Sequence, residues 1–180
     1  MRNILIFSLA LLTLAGCSGN PYGKQVKEPF SSGSYMSNKK YFRSKGKGQS
    51  SSQNISRQKA DIQAKSSLAG QVETNMKQVA DQYSRENNIG EASDIGEKFE
   101  SLTRQVMNTT INDLRLIGEK TFQNEKGYTT FLAYEIQKKQ MFKFIKKMAK
   151  ANEQLNESER KAIEDILQSE IDRLEAEDGN

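Results

Sequence analysis

Three rhythms of apolar and polar residues divide this chain. Ala60, Ala64, Leu68, Val72, Met76 and Tyr83 recur at helical spacing, with Val79 and Ala80 beside the stripe. That spacing puts the apolar side chains on one face of a long helix. Ser56 stands where its hydroxyl can cap the free backbone N–H groups of the first turn. The polar run Glu86-Asn87-Asn88-Ile89-Gly90 supplies the stop. Gly70 lies inside this helix, where it costs about 1 kcal/mol against Ala. Its use would be to let the helix approach a sheet closely, as would the small residues Ala60, Ala64 and Ala69. A second helix starts at Ser93 or Asp94. Asp94 and Glu97 have the spacing of a capping box, and Ile95, Phe99, Leu102 and Val106 form its apolar stripe.

The rhythm then drops to two. Residues 108–123 and 128–138 flank Asn124-Glu125-Lys126-Gly127, and Gly127 can take the left-handed conformation that a three-residue hairpin loop requires. A hairpin closed around Lys126 pairs even positions with even positions. Leu114, Leu116 and Phe122 of the first strand then share the core face with Tyr128, Leu132, Tyr134 and Ile136 of the second. The opposite face, with Asp113, Arg115, Glu119, Thr129, Glu135 and Gln137, is polar apart from Phe131. Upstream, residues 41–48 alternate and end in glycines, which reads as a strand leading into a loop at 50–53.

Helical spacing returns at the end. Met141, Phe144, Ile145 and Met148 make one stripe. Asn156 and Glu159 resemble a capping box for a last helix carrying Ile163, Ile166, Leu167, Ile171 and Leu174. Lys138, Lys139, Lys143, Lys146, Lys147 and Lys150 have no acid among them, whereas residues 153–178 hold ten acids against three bases. A basic helix followed by an acidic one predicts an antiparallel pair whose faces attract, each exposed ion pair contributing only a few tenths of a kcal/mol.

The N-terminus has a different character. Arg2 gives a positive head, and residues 4–14 are apolar except for Ser8 and Thr13. A positive head, an apolar run of about ten residues and a small-residue cleavage site make a secretory signal; the run is too short for a membrane span, which needs about twenty. Leu14-Ala15-Gly16-Cys17 resembles the lipobox of bacterial lipoproteins. The resemblance implies a diacylglycerol on the Cys17 thiol, cleavage between Gly16 and Cys17, and an acyl chain, palmitate for example, on the new amino group. One acyl chain holds only marginally, whereas two or three on one residue anchor durably. The other readings of Cys17 are an ordinary signal peptide with an incidental cysteine, or a buried free thiol.

Residues 18–39 are rich in Ser, Gly, Asn and Lys and contain both prolines, Pro21 and Pro29, with no repeating apolar spacing. They read as a flexible tether. Residues 17–59 carry nine Lys or Arg against one acid, Glu28. Such a tether is either attracted to anionic headgroups or simply a solvated linker.

Composition narrows the chemistry. The chain has one cysteine, no His and no Trp, which removes the commonest catalytic base and metal ligand. With the thiol committed to lipid, no cofactor or metal site is expected. A phosphate-cradling glycine loop is missing, because Gly46-Lys47-Gly48 is too short. Ser56-Arg57-Gln58-Lys59 has Ser-x-x-Lys spacing without partner motifs. Glu170 and Glu175 read as helix surface, and spacing alone leaves a glycosidase pair open. Residues 138–150 interleave lysines with Met141, Phe142 and Phe144, a pattern suited to core packing, to lipid or to nucleic acid; nucleic acid is not the expected partner of an exported chain.

Phe42-Arg43-Ser44-Lys45-Gly46-Lys47-Gly48, followed by residues 56–69 with Ala60, Ala64 and Leu68-Ala69, resembles the twenty-kilodalton bacterial lipoprotein family over residues 40–140. That resemblance implies membrane association, a cell-envelope location and no catalytic residues. The expected fold is α+β: a long helix and a second helix on a small three-stranded antiparallel sheet, in dodecin-like layering, followed by a C-terminal helical pair. The expected organisation is a signal peptide at 1–16, a basic tether at 17–39, the α+β domain at 40–140 and a helical extension at 141–180. The expected role is structural or protein-interacting, in a homo-oligomer or with an envelope partner. The alternatives are a binding module for an envelope polymer or membrane lipid and, less favoured, a hydrolase. Ser18 follows Cys17 with no retention-type Asp, which leans the location to the outer membrane, with the inner membrane and the cell surface left open.

Overall fold

The computed structural model describes residue 20 and residues 22–87, 92–107 and 114–178. A 3₁₀ turn at Gly33–Tyr35 precedes β1 (Tyr41–Ser50), α1 (Gln53–Asn87), α2 (Ala92–Met107), β2 (Arg115–Asn124), β3 (Gly127–Gln137), α3 (Lys138–Ala151) and α4 (Glu157–Asp178). The strands form one antiparallel sheet in the order β1-β3-β2. The fold is α+β with a C-terminal helical pair, as its patterning predicts.

The long helix is organised by a strict spacing of four. Ser56, Ala60, Ala64, Leu68, Val72, Met76, Ala80 and Ser84 are all buried, while Tyr83 and Val79 are half-buried beside them. Four residues advance a helix by more than one turn, so each contact is rotated by about 40° from the one before. The buried line therefore winds around α1. Its first part, Ala60 and Ala64, packs on Leu132 and Tyr134 of the sheet. From Leu68 onward it joins the main core with Phe99, Phe142, Ile145 and Ile163. One helix thus bridges a strand layer and a helix layer.

Two glycines of β1 permit the close contact. A Cβ on Gly46 would lie 2.5 Å from Ala64 N and nearer still to Ala60 O, and one on Gly48 would lie 2.6 Å from Ala60 N and nearer still to Ser56 O. Gly70 has nothing within 4 Å of an added Cβ, so close approach is served by the strand's glycines instead. Ser56 does not cap the helix either. The helix begins at Gln53, which puts Ser56 in the first turn, where its hydroxyl donates to Gln53 O (2.8 Å) and meets Thr130 Oγ1 at 2.8 Å.

The hairpin register differs from the expected one. Asn124 lies opposite Gly127, so Glu125 and Lys126 alone make the connection and Gly127, at φ 114°, opens β3. Near the turn, even positions therefore pair with odd ones: Phe122 with Thr129, Thr121 with Thr130 and Glu119 with Leu132. A one-residue shift moves every side chain to the other face. Phe122 accordingly leaves the core and is 52% exposed; Leu116, beyond the slipped stretch, is 43% exposed all the same. A bulge between Leu116 and Gly118 restores even–even pairing at Leu116–Tyr134. Leu132, Tyr134 and Ile136 face the helices as expected, but Phe131, Ala133 and Glu135 on the reverse face are also buried.

The free edge of β1 is closed by side chains. Arg43 N–H donates to Ser37 Oγ (2.8 Å), and Gln71 Nε2 donates to Arg43 O (2.9 Å). Lys47 N–H donates to Gln63 Oε1 (2.7 Å), and Lys59 Nζ to Gln49 O (3.2 Å). Three of these partners belong to α1, so the helix blocks the pairing that an open edge invites.

Ile95, Phe99, Leu102 and Val106 of α2 are buried as expected, against α1, α3 and α4. The Asp94–Glu97 capping pair depends on a side chain outside the described residues. In the helical pair, Glu159 N–H donates to Asn156 Oδ1 and Asn156 N–H to Glu159 Oε2, both at 2.9 Å, a complete capping box. Lys139 and Lys143 reach Glu175, Lys150 reaches Glu164, and Lys146 donates to Gln168. The two helices attract through the charges that distinguish them.

Candidate functional site

Cys17, the segment 1–16 and the Gly16–Cys17 bond lie outside the described residues. The structure does describe how the chain downstream of them reaches the fold. Residues 22–28 are exposed, and burial begins at Pro29 and Phe30. The Phe30 ring sits over Gly118, where an added Cβ would lie 2.5 Å from the ring. It also stacks obliquely on Tyr35, with ring centroids 4.8 Å apart. Phe30 holds φ at 60°, a conformation that costs a bulky L-residue about 1–2 kcal/mol. The ring contacts offset that strain. Residues 30–37 of the stretch read as tether are therefore a strap across the sheet, fastened at Gly118 by Phe30 and at the β1 edge by Ser37.

The strap crosses the sheet face that points away from α1, here called the outer face. Phe30 over Gly118 shields Ala133, which lies opposite Gly118 and is fully buried. Glu135 is held by Arg43 at 2.9 Å and by Arg115 at 3.6 Å. Phe131 lies under Lys47, whose ammonium is 5.5 Å from the ring centroid, and edge-on to Phe122 at 6.0 Å. Glu28, just before the strap, reaches Lys47 at 3.2 Å and Lys45 at 4.0 Å. Patterning predicted Arg115, Thr129, Glu135 and Gln137 on this face. It placed Glu119 there too, but the hairpin slip turns Glu119 toward α1, where it pairs with Arg57 at 3.0 Å.

A second polar group lies on the helix side. Tyr134 OH donates to Asp61 Oδ1 (2.6 Å), and Lys65 Nζ lies 2.8 Å from Asp61 Oδ2. Burial and the Asp61 hydrogen bond push the Tyr134 hydroxyl up to about 12. Burial works against ionisation of Asp61, but hydrogen bonds from Lys65 and Tyr134, with the charges of Lys65 and Arg57, outweigh it and hold the carboxyl below its ordinary value. Arg57 is raised by its hydrogen bond to Glu119 and the charge of that carboxylate. These contacts tie α1 to β2 and β3.

The Ser-x-x-Lys spacing brings nothing together, since Ser56 turns to Gln53 and Thr130 while Lys59 reaches Gln49. Glu170 is engaged by Arg173, and Glu175 by Lys139 and Lys143. Among the described residues no group of three or more His, Cys, Asp or Glu is arranged to hold a metal, and no helix is long and apolar enough to cross a membrane. The strap was missed in the sequence because its polar composition has no spacing to read. The one available signal was Phe30, an aromatic beside Pro29 in an otherwise polar stretch. No family model, no curated protein and no solved structure matches this chain.

Proposed function

We propose that this chain is a lipid-anchored envelope lipoprotein with a structural or protein-interaction role, placed at the outer membrane. One observation carries the reading: the positive head and apolar run end at Leu14-Ala15-Gly16-Cys17, with the only cysteine of the chain at the position that receives lipid. The anchor would leave the domain beside a bilayer. The exposed segment 22–28 spans the interval between the lipid and the strap.

The test replaces Cys17 by Ser and follows the protein through membrane fractionation, with mass measurement of the N-terminal peptide. The wild-type chain is expected in the membrane fraction with a diacylglyceryl and an acyl group on residue 17. The Cys17→Ser protein is expected to be washed into the soluble fraction by high salt, which removes electrostatic attachment and leaves a lipid anchor in place. A wild-type protein with an unmodified thiol at residue 17 would refute the proposal. A second reading, a module that binds membrane lipid, is favoured by the basic and aromatic residues gathered on the outer face of the sheet.

A further inference from the structure

We infer that the outer face of the sheet, with the segment that leads to its strap, is a docking surface for anionic lipid headgroups. Strand β1 places Arg43, Lys45 and Lys47 on that face and holds no acid, and β2 adds Arg115 and Lys120. Arg43 and Arg115 are occupied by Glu135. Glu28 faces Lys45 and Lys47 from the segment just before the strap. Lys45 and Lys47 are exposed, as are Lys120 and, before the strap, Lys24 and Lys27. The excess is positive on one side of the molecule.

Apolar side chains stand among these charges. Tyr22 is 94% exposed, Val26 81% and Phe122 52%. Tyr22 and Val26 alternate with Lys24, while Phe122 sits two positions from Lys120 against Phe131. A polyanion such as nucleic acid would use the lysines and leave Val26 in water. A bilayer interface takes both kinds of group, headgroup phosphates meeting the ammonium groups and the acyl boundary accepting the apolar side chains. Lys143, Lys150 and Lys146 of α3, by contrast, turn to Glu175, Glu164 and Gln168 of α4.

Chain geometry agrees with this orientation. The thirteen steps from Cys17 to Phe30 reach at most about 45 Å when extended, and the strap enters on the basic face. That orientation rests on the lipid-anchor reading; the charge and the apolar side chains of the outer face do not.

The experiment uses the mature chain from residue 17 carrying Cys17→Ser, so that no lipid contributes. Co-sedimentation is measured with vesicles of phosphatidylglycerol and phosphatidylethanolamine, and with vesicles of phosphatidylcholine alone. Binding is expected on the anionic vesicles only, weakening as salt rises. Each lysine near an anionic surface contributes up to about fivefold. Lys24→Glu, Lys27→Glu, Lys45→Glu and Lys120→Glu together should therefore weaken partitioning by a hundredfold or more. Lys143→Glu with Lys150→Glu should leave it within twofold. Val26→Ser should weaken binding to vesicles but not to a single-stranded oligonucleotide measured in parallel, because an aliphatic side chain has no face on which a base can stack. Equal binding to both kinds of vesicle would overturn the proposal. So would equal loss from the α3 variant, or indifference to Val26→Ser with the oligonucleotide bound as tightly as the vesicles. Failure here leaves the fate of Cys17 standing, and an unmodified Cys17 leaves this result standing.

Discussion

Replacing Gly46 by Ala gives the sharpest test of how the helix and sheet are joined. The new methyl would stand 2.5 Å from Ala64 N and 3.0 Å from Ala64 Cβ, with Ala60 O closer still. Ordinary contact needs about 3.5–4.0 Å, so α1 and β1 must separate by about 1 Å. The obstacles are mostly backbone, and no rotamer change relieves them. A gap of 0.5–1 Å forfeits about a quarter to a half of each dispersion contact, and it would open over Ala60, Ala64, Leu132 and Tyr134, which form one buried cluster. Overpacking costs about 1–3 kcal/mol where side chains can yield; with backbone in the way, a loss of about 3 kcal/mol or more is expected. The control is the same substitution at Gly70, on α1 with nothing within 4 Å, where Ala should stabilise by up to about 1 kcal/mol. Urea unfolding followed by far-ultraviolet circular dichroism reads both. With a slope of about 1–3 kcal/mol per molar, the Gly46→Ala midpoint should fall by about 1 M or more and the Gly70→Ala midpoint should rise. Small shifts of the same sign in both variants would refute the close-packed junction.

Other substitutions probe separate contacts. Phe30→Ala removes the ring that fastens the strap over Gly118; the half-buried side chain should cost about 1 kcal/mol, and limited proteolysis after Lys39 and Lys40 should accelerate. Because the Tyr134 hydroxyl is raised to about 12, its folded state holds a proton that the unfolded chain releases near pH 10. Its stabilisation is complete below that pH and disappears as pH climbs through about 12. Tyr134→Phe should therefore flatten the alkaline limb of a stability–pH curve measured by urea midpoints. Asn156→Ala removes one half of the reciprocal cap with Glu159 and should lower stability by about 1 kcal/mol, visible as a reduced thermal midpoint. Thr103 is fully buried and its Oγ1 has no hydrogen-bond partner among the described residues; Thr103→Val should be neutral or raise the thermal midpoint, since an unsatisfied buried hydroxyl is lost without loss of volume.

What the sequence made legible depended on how local the cause was. Ala60, Ala64, Leu68, Val72 and Met76 could be read because one helix imposes one spacing, and all five are buried. The Asn156–Glu159 cap and the lysine–glutamate pairing of α3 with α4 were equally readable, since each follows from residue types at short range. The hairpin was found but its register was not. A two-residue turn and a bulge beside Ile117 shift the pairing in opposite ways, and neither leaves a mark in the alternation. Phe30 acquires its strained backbone and its place over Gly118 only from contacts made 88 residues away. Gly46 and Gly48 were visible as glycines, yet their purpose depends on a helix laid across them. Of the candidate site, Cys17 was read wholly from the sequence, while the basic outer face emerged only when β1, β2 and β3 were set side by side.

The two-residue link between β1 and α1, with helix side chains clasping the strand's outer rim, bears on the order in which this molecule assembles. Strand and helix are close neighbours along the chain and can meet early, as can the two arms of the β2–β3 hairpin. The ladder of Phe42 with Ile136 must close across 94 positions, a late event by the entropy of loop closure. Until then the inner rim of β1 stands open while its outer rim is already guarded. A newly made chain therefore presents one adhesive margin of β1 instead of two until the hairpin covers it.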